Sequence, residues 1–377
     1  MNACRVRTPF QSLHEVQTAS ALRSAYCKRH VVVVIPSLTR DGAKMKNKLY
    51  ACIAVACLTW AMPTLARAWG SDGHKTVGMI ADILLAGPVE NDVKKILGGK
   101  TLSTVAIWAD CAKGFSYCRR QPSVAEKAYA NRNPHHHDYH YTDVPIQETS
   151  YRPQSAGTKP YDAVGVMRYA VQVLQGKAQP SADFNLNKRE ALWLLAHVVG
   201  DIHQPLHAGA LYFDHACAHK VDPNQEGAGL PNFGIGTEFA ESTGGNDFKI
   251  SASRNLHSYW DDDIVHANMR LKGIPKTEIR QFAQALMKTP PTNWELDGDP
   301  ADWPQKWASE ILPLANAALT RVDYGTATET HDGQRIKCTW PVTLQVGYAK
   351  WADVEGLKQL TKAGYRLAAL IRAVLTK

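Results

Sequence analysis

Residues 188–207 read KREALWLLAHVVGDIHQPLH, and this stretch governs how the rest of the chain is read. Leu192, Leu195, Ala196 and Val199 recur at helical spacing, which predicts a helix from about Lys188 to Asp201. His197 and Asp201 stand four positions apart, so their side chains leave the helix on one side. An imidazole and a carboxylate placed in this way are two ligands for a borderline cation such as zinc. Gly200 between them lets other groups crowd against the backbone. His207 follows Gln204-Pro205-Leu206, displaced just beyond the end of the helix.

Working outward, the same grammar recurs. His257-Ser-Tyr-Trp-Asp261 is a second i,i+4 pair at the start of another helix. Trp108-Ala-Asp110 is expected to close an apolar helix containing Leu102, Val105 and Ile107. His140-Tyr-Thr-Asp143 lies in a loop at 131–151 that is crowded with His and Pro. A single His/Asp pair of this kind can be an exposed helix contact worth a few tenths of a kcal/mol. The whole set in one chain points instead to a multi-metal centre. His135, His136 and His137 read as a solvated loop run. His203, His215, His219, His266 and His331 read as surface or hydrogen-bonding residues. Trp108, Trp193 and Trp260 read as core rather than substrate platforms.

The amino-terminal region reads as a leader. Met45, Lys46 and Lys48 open a basic segment, an apolar run covers residues 49–62, and Ala66-Arg67-Ala68 supplies a small-x-small cleavage site. Cleavage would leave Trp69 first, with a free α-amine and carbonyl able to chelate a metal and His74 one turn later. Residues 1–44 are expected to be an upstream extension ahead of the true start, 45–68 the signal peptide and 69–377 the functional domain. The first 68 residues hold ten Lys/Arg against two Asp/Glu, and the remaining 309 hold 33 of each sign. The formal charge of +8 therefore belongs to the leader, and a cationic surface for sliding on nucleic acid is not indicated. The apolar run is too short for a stable membrane span. The mature chain is expected to be secreted or periplasmic, monomeric and without stable membrane association.

Helical periodicity returns in Val77, Ile80, Ala81 and Leu84, in Val166, Tyr169, Ala170, Val173 and Leu174, and from about residue 357 to 375. Strand-like alternation is scarce. The expected fold class is all-α: a single mainly helical domain with long loops. One such loop, at 208–245, is rich in Gly, Pro and Asn and is of a length that is usually functional or mobile. Cys111, Cys118, Cys217 and Cys338 follow the leader, an even count that suits two disulfides in an exported chain. Cys111 with Cys118 is the natural short loop, and three pairings remain open.

Taken in order, these motifs resemble the zinc-dependent nuclease family typified by fungal nucleases P-one and S-one and the plant bifunctional nucleases. The resemblance runs from Trp69-Gly70 through Trp108-Ala-Asp, His-x-x-Gly-Asp, Gln-Pro-Leu-His, Gly244-Gly245-Asn246 and Asn-Leu-His-Ser-x-Trp-Asp to Gly364-Tyr365-Arg366-Leu367-Ala368. It implies the helical fold shared with zinc phospholipase C, three zinc ions per chain and hydrolysis of single-stranded RNA and DNA to 5′-nucleotides, with 3′-nucleotidase activity. By position, it implies a first zinc at Asp110, His140, His197 and Asp201, and a second at His207, His257 and Asp261. A third would take the amine and carbonyl of Trp69, with His74 and a bridging Asp201. Asp110, Asp201 and Lys113 would be catalytic, and Tyr141, Asp143, Gly245 and Asn246 would receive the nucleobase. Lys113 departs from the Arg of nuclease P-one: it supplies charge without the bidentate fork. The 208–245 segment is longer than the family's usual interval, and Cys217 paired with Cys338 would pin it. A phospholipase C is the nearest rival, but it usually has Glu where Asp261 stands and lacks the base pocket. A non-catalytic exported zinc-binding protein is the rival from another class.

Overall fold

The computed structural model describes residues 69–118, 120–214, 216–225, 240–332 and 335–376. The expected leader and upstream extension lie outside them, as do His215 and residues 226–239 of the 208–245 segment. In chain order the helices are α1 Ser71–Leu84, α2 Pro88–Leu97, α3 Leu102–Val105, α4 Trp108–Lys113, α5 Phe115–Cys118, α6 Val124–Arg132, α7 Ala163–Gln175 and α8 Lys188–Asp201. They continue with α9 Leu256–Ser258, α10 Ile264–Leu271, α11 Ile279–Met287, α12 Trp303–Thr320 and α13 Tyr348–Leu375. The fold is mainly helical, as the sequence implies. None of the described helices is long and apolar enough to cross a membrane.

Asn187 starts α8 with a capping box: its side chain accepts from the Glu190 amide, and the Glu190 carboxylate accepts from the Asn187 amide. Leu192, Leu195, Ala196, Val198 and Val199 are fully buried, so α8 runs through the core with α1, α7 and α13 around it. This burial on several sides explains why His197 and Asp201, on the same helix, are also fully removed from water. Close approach of α1 and α13 depends on Gly364, where a Cβ would stand 2.5 Å from that of Ile80. Arg366, two residues on, is buried. It donates to His203 Nε2 at 3.0 Å, pairs with Glu310 of α12 and lies over Trp307. His203 is therefore a buried hydrogen-bonding residue, with Nδ1 donating to the Val199 carbonyl at 2.7 Å.

Two differences from the sequence reading matter for the site. The apolar helix before Asp110 ends at Val105, and Asp110 sits in the first turn of a separate short helix, α4. The last helix begins at Tyr348, earlier than the apolar spacing suggests, because its first turns fully bury only Tyr348 and Ala352 and leave Ala349, Lys350 and Val354 exposed.

Short strands also organise the second half: β1 Val144–Pro145, β2 Gly209–Ala210, β3 Tyr212–Phe213, β4 Lys220–Val221, β5 Ala240–Glu241, β6 Phe248–Ser251, β7 Arg254–Asn255, β8 Val322–Tyr324, β9 Thr328–Asp332 and β10 Arg335–Leu344. One sheet has the order β7-β6-β10-β8, with β9 on β10 and a parallel register that sets Trp340 against Phe248. Another is β4-β3-β5, and β1 pairs in parallel with β2. Phe213, Phe248, Trp260 and Trp340 form a second apolar core there. Disulfides join Cys111 to Cys118 and Cys217 to Cys338. The second ties the 208–245 segment to β10, and the Trp340 indole donates to the Cys217 carbonyl beside it.

Candidate metal centre

The helices deliver eight imidazoles and carboxylates to one buried region. His74 comes from α1, Asp110 from α4, His140 from a 3-10 turn at Asp138–His140, and His197 and Asp201 from α8. His207 comes from a second 3-10 turn, and His257 and Asp261 from α9 and the π-helical turn that follows it. All eight are at most 5% exposed. Their donor atoms fall into three groups able to hold a metal ion: Asp110, His140 and His197; His207, His257 and Asp261; and His74, His197 and Asp201.

Asp201 stands between two of these groups. Its Oδ2 lies 3.1 Å from His140 Nδ1 and 3.3 Å from His197 Nε2, while its Oδ1 lies 3.2 Å from His74 Nε2. Each oxygen faces a different set of imidazoles, the arrangement a bridging ligand requires. Asp110 is 3.8 Å from His197 and 3.9 Å from His140, with Lys113 Nζ 2.9 Å from its Oδ1.

The imidazoles are held from behind by backbone carbonyls. Nδ1 of His197 meets the Ala106 carbonyl at 2.6 Å, that of His207 the His140 carbonyl at 2.8 Å, and that of His257 the Gly244 carbonyl at 2.7 Å. A carbonyl only accepts, so each Nδ1 carries the proton and each Nε2 presents a lone pair to the centre. The Nε2 atoms of His207 and His257 nevertheless approach to 2.9 Å. Asp261 Oδ2, buried 3.5 Å from His257 Nε2, accepts no hydrogen bond from the described residues, whereas its Oδ1 receives one from Gln204 at 2.7 Å. Lone pairs converging without a proton between them fit a cation, so the donor set passes the test for a metal.

Burial shapes the protonation of the metal-free centre. It lowers His197 and His257 to about 4 and takes His140 and His207 well below the ordinary imidazole value. It raises Asp201 to about 8 and Asp261 well above the carboxylate range. Asp110 is buried too, but Lys113, His197 and His74 outweigh the burial and hold it below its usual value.

Trp69 begins the described residues beside this centre. Its indole is fully buried next to Gly200, where a Cβ would stand 3.0 Å from His74 Nδ1 and 3.8 Å from Trp69 Cδ1. The Gly70 amide donates to the Asp261 carbonyl at 2.9 Å, tying the start of this segment to the second group.

The four residues expected to receive a base lie on the His207 side. Thr142 N, between Tyr141 and Asp143, donates to the His207 carbonyl at 2.8 Å. Gly244, at φ +54°, packs so tightly on the Leu206 carbonyl that a Cβ would stand 2.1 Å from it. Gly245, at φ +81°, and Asn246 follow, the Asn246 amide donating to the Thr243 carbonyl. The half-buried Tyr141 ring is steadied by its hydroxyl donating to Asp138, which also pairs with Lys159 at 3.0 Å. Asp143 is buried against Glu241 of β5. Burial raises both carboxyls, Glu241 far more, so Glu241 keeps the proton and donates it to Asp143. Glu241 and Lys159 were not singled out by sequence, since they occur in no ligand-like spacing that would mark them; Gln204 was read only as part of the Gln-Pro-Leu-His motif, without its hydrogen bond to Asp261.

His136 stacks edgewise on Tyr129, and His135 stacks flat on Tyr161, so this run packs on neighbouring aromatics rather than lying wholly in solvent. Trp260 is core, while Trp108 and Trp193 are half-buried against one another at 4.5 Å.

Comparison with known proteins agrees with this geometry. The S1/P1 Nuclease family profile matches residues 69–376. Nuclease S1 of Aspergillus oryzae is 27% identical over 346 residues, covering 86% of this chain and 98% of its own. Endonuclease 2 of Arabidopsis thaliana is 26% identical over 341 residues, covering 85% and 95%. Nuclease PA3 of a Penicillium species is 23% identical over 332 residues, covering 81% and 97%. The chain belongs to the S1/P1 nuclease family and is a hydrolase acting on nucleic acid.

Proposed function

We propose that the protein is an exported endonuclease dependent on three zinc ions, cutting single-stranded RNA and DNA to 5′-nucleotides and removing phosphate from 3′-nucleotides. The observation that carries this reading is the set of three buried donor groups around Asp201 and the His207–His257 pair. Asp110, His140, His197 and Asp201 would hold the first ion, and His207, His257 and Asp261 the second. His74, Asp201 and the amine and carbonyl of Trp69, freed by removal of the leader, would hold the third.

Zinc, when bound, supplies an ionised water near neutral pH and neutralises phosphoryl charge. The chain's own groups do the rest. Asp110, kept ionised by Lys113, orients the attacking water and accepts from it. The Lys113 ammonium sits where a phosphoryl oxygen can meet it as a point charge. Tyr141 offers a face for a base to stack on, and Asp143, ionised because Glu241 keeps the shared proton, accepts from the base edge. A paired duplex cannot present its bases to such a face, hence the preference for single strands. The scissile 3′ oxygen departs on the His207–His257 side, where the base subsite lies.

The test assays single-stranded DNA, RNA, 3′-AMP and phosphatidylcholine with and without a chelator. Chelator-sensitive hydrolysis of the first three is expected. Hydrolysis of phosphatidylcholine alone would favour the phospholipase, and none would favour a storage protein.

A further inference from the structure

We propose that a pocket of about 360 Å³ beside Asp110 binds the nucleotide on the 5′-phosphate side of the scissile bond, so that a strand is held on both flanks of the metal centre. The inference rests on the nuclease reading above.

The pocket lies between the start of α1, the disulfide-closed Cys111–Cys118 segment and α10, and it is lined by Asp72, Lys75, Tyr117 and His266. It shares Asp110 with the metal centre and shares none of Tyr141, Asp143, Gly245 or Asn246. Those four are anchored to His207 and, through the Gly244 carbonyl, to His257. Pocket and base subsite therefore meet different donor groups. A phosphodiester lying from Asp110 toward His207 would place the nucleoside bearing the departing 3′ oxygen at Tyr141. The nucleotide bearing the attacked 5′ phosphate falls in the pocket.

Size and chemistry fit. The volume is within the range of small-molecule sites. Each carboxylate lining the pocket has a basic partner: Asp72 has Lys75 at 3.7 Å and His266 at 3.1 Å, Asp262 has Arg254 at 3.8 Å, and Asp110 has Lys113 at 2.9 Å. The walls are thus not left anionic. Lys75 is 36% exposed, free to turn toward the next phosphate along the strand. The half-buried Tyr117 ring has Lys113 Nζ 4.4 Å from its centroid and is pinned through Cys118, next to it in sequence. An aromatic face beside an ammonium is a sequence-tolerant way to stack a base.

A 3′-mononucleotide has nothing beyond its phosphate and does not reach this pocket, whereas a dinucleotide does. The experiment measures kcat/KM for ApA and for 3′-AMP in the zinc-loaded native chain, Lys75→Ala, Tyr117→Ala and Tyr117→Phe. The dinucleotide-to-mononucleotide ratio should fall about tenfold in both alanine variants, through KM, as loss of one stacking or phosphate contact implies. Tyr117→Phe, which keeps the ring, should retain the ratio. A ratio unchanged in both alanine variants overturns the pocket and leaves the nuclease reading standing. Hydrolysis of neither substrate by the native chain overturns both.

Discussion

The Nε2 atoms of His207 and His257 stand 2.9 Å apart, each with its Nδ1 committed to a backbone carbonyl. Two imidazole lone pairs held face to face repel unless a cation sits between them and a carboxylate such as Asp261. His257→Ala removes one of the pair. Metal analysis should show one zinc fewer per chain, and turnover on single-stranded DNA should drop by about 10²–10³-fold, the usual loss when a stabiliser of a departing oxyanion is removed. Unchanged metal content would contradict the assignment.

Asp201 faces His74 with one oxygen and His140 and His197 with the other. Asp201→Asn keeps the shape and removes the charge shared by two groups. Its metal content should fall by about two ions and its turnover by ~10³-fold or more. Native turnover in this variant rules out the bridge.

Metal loading should release protons from carboxyls rather than imidazoles. In the metal-free chain at pH 6, burial keeps Asp201 and Asp261 protonated, while His197 and His257, lowered to about 4, are already neutral. Titration calorimetry of zinc in buffers of different ionisation enthalpy should give about three protons per chain at that pH, two from these carboxyls and one from the Trp69 α-amine that joins the third ion. Release of four or more would mean that the imidazoles, not the carboxyls, carry the protons.

The same shifts set the stability of the stripped protein. Burial raises the folded value of Asp201 from 3.8 to about 8, so its contribution is present below pH ~4 and is lost as pH rises through 8. His197 and His257 fall from 6.5 to about 4; their contribution is complete above pH ~6.5 and is lost as pH falls toward 4. Between pH ~6.5 and ~8.5 the raised carboxyls dominate. The Tm of chelator-treated protein should decline across that window, and a flat or rising Tm there would contradict the protonation pattern.

Much of this architecture was legible in the sequence where two signals coincided. The helix Lys188–Asp201 shows both apolar periodicity and the His197/Asp201 spacing, and its ends fall where they were expected. The i,i+4 pairs were readable because helical geometry fixes which side chains share a side. Asp110 was placed on the wrong helix because Leu102, Val105 and Ile107 mimic one continuous face, although the backbone breaks after Val105. The sheets around Trp340 escaped because several strands span only two to four residues, too few for alternation to register. Backbone carbonyls of Ala106, His140 and Gly244 orient three imidazoles, and a carbonyl has no sequence signature at all. The Asp143–Glu241 pair was hidden for a related reason: the two lie almost a hundred residues apart, and only folding makes them neighbours.

The most direct test of the account is the zinc content of the processed chain beginning at Trp69, purified without chelator and measured by plasma emission spectrometry. The account predicts about three ions per chain. A value near zero under those conditions would contradict it.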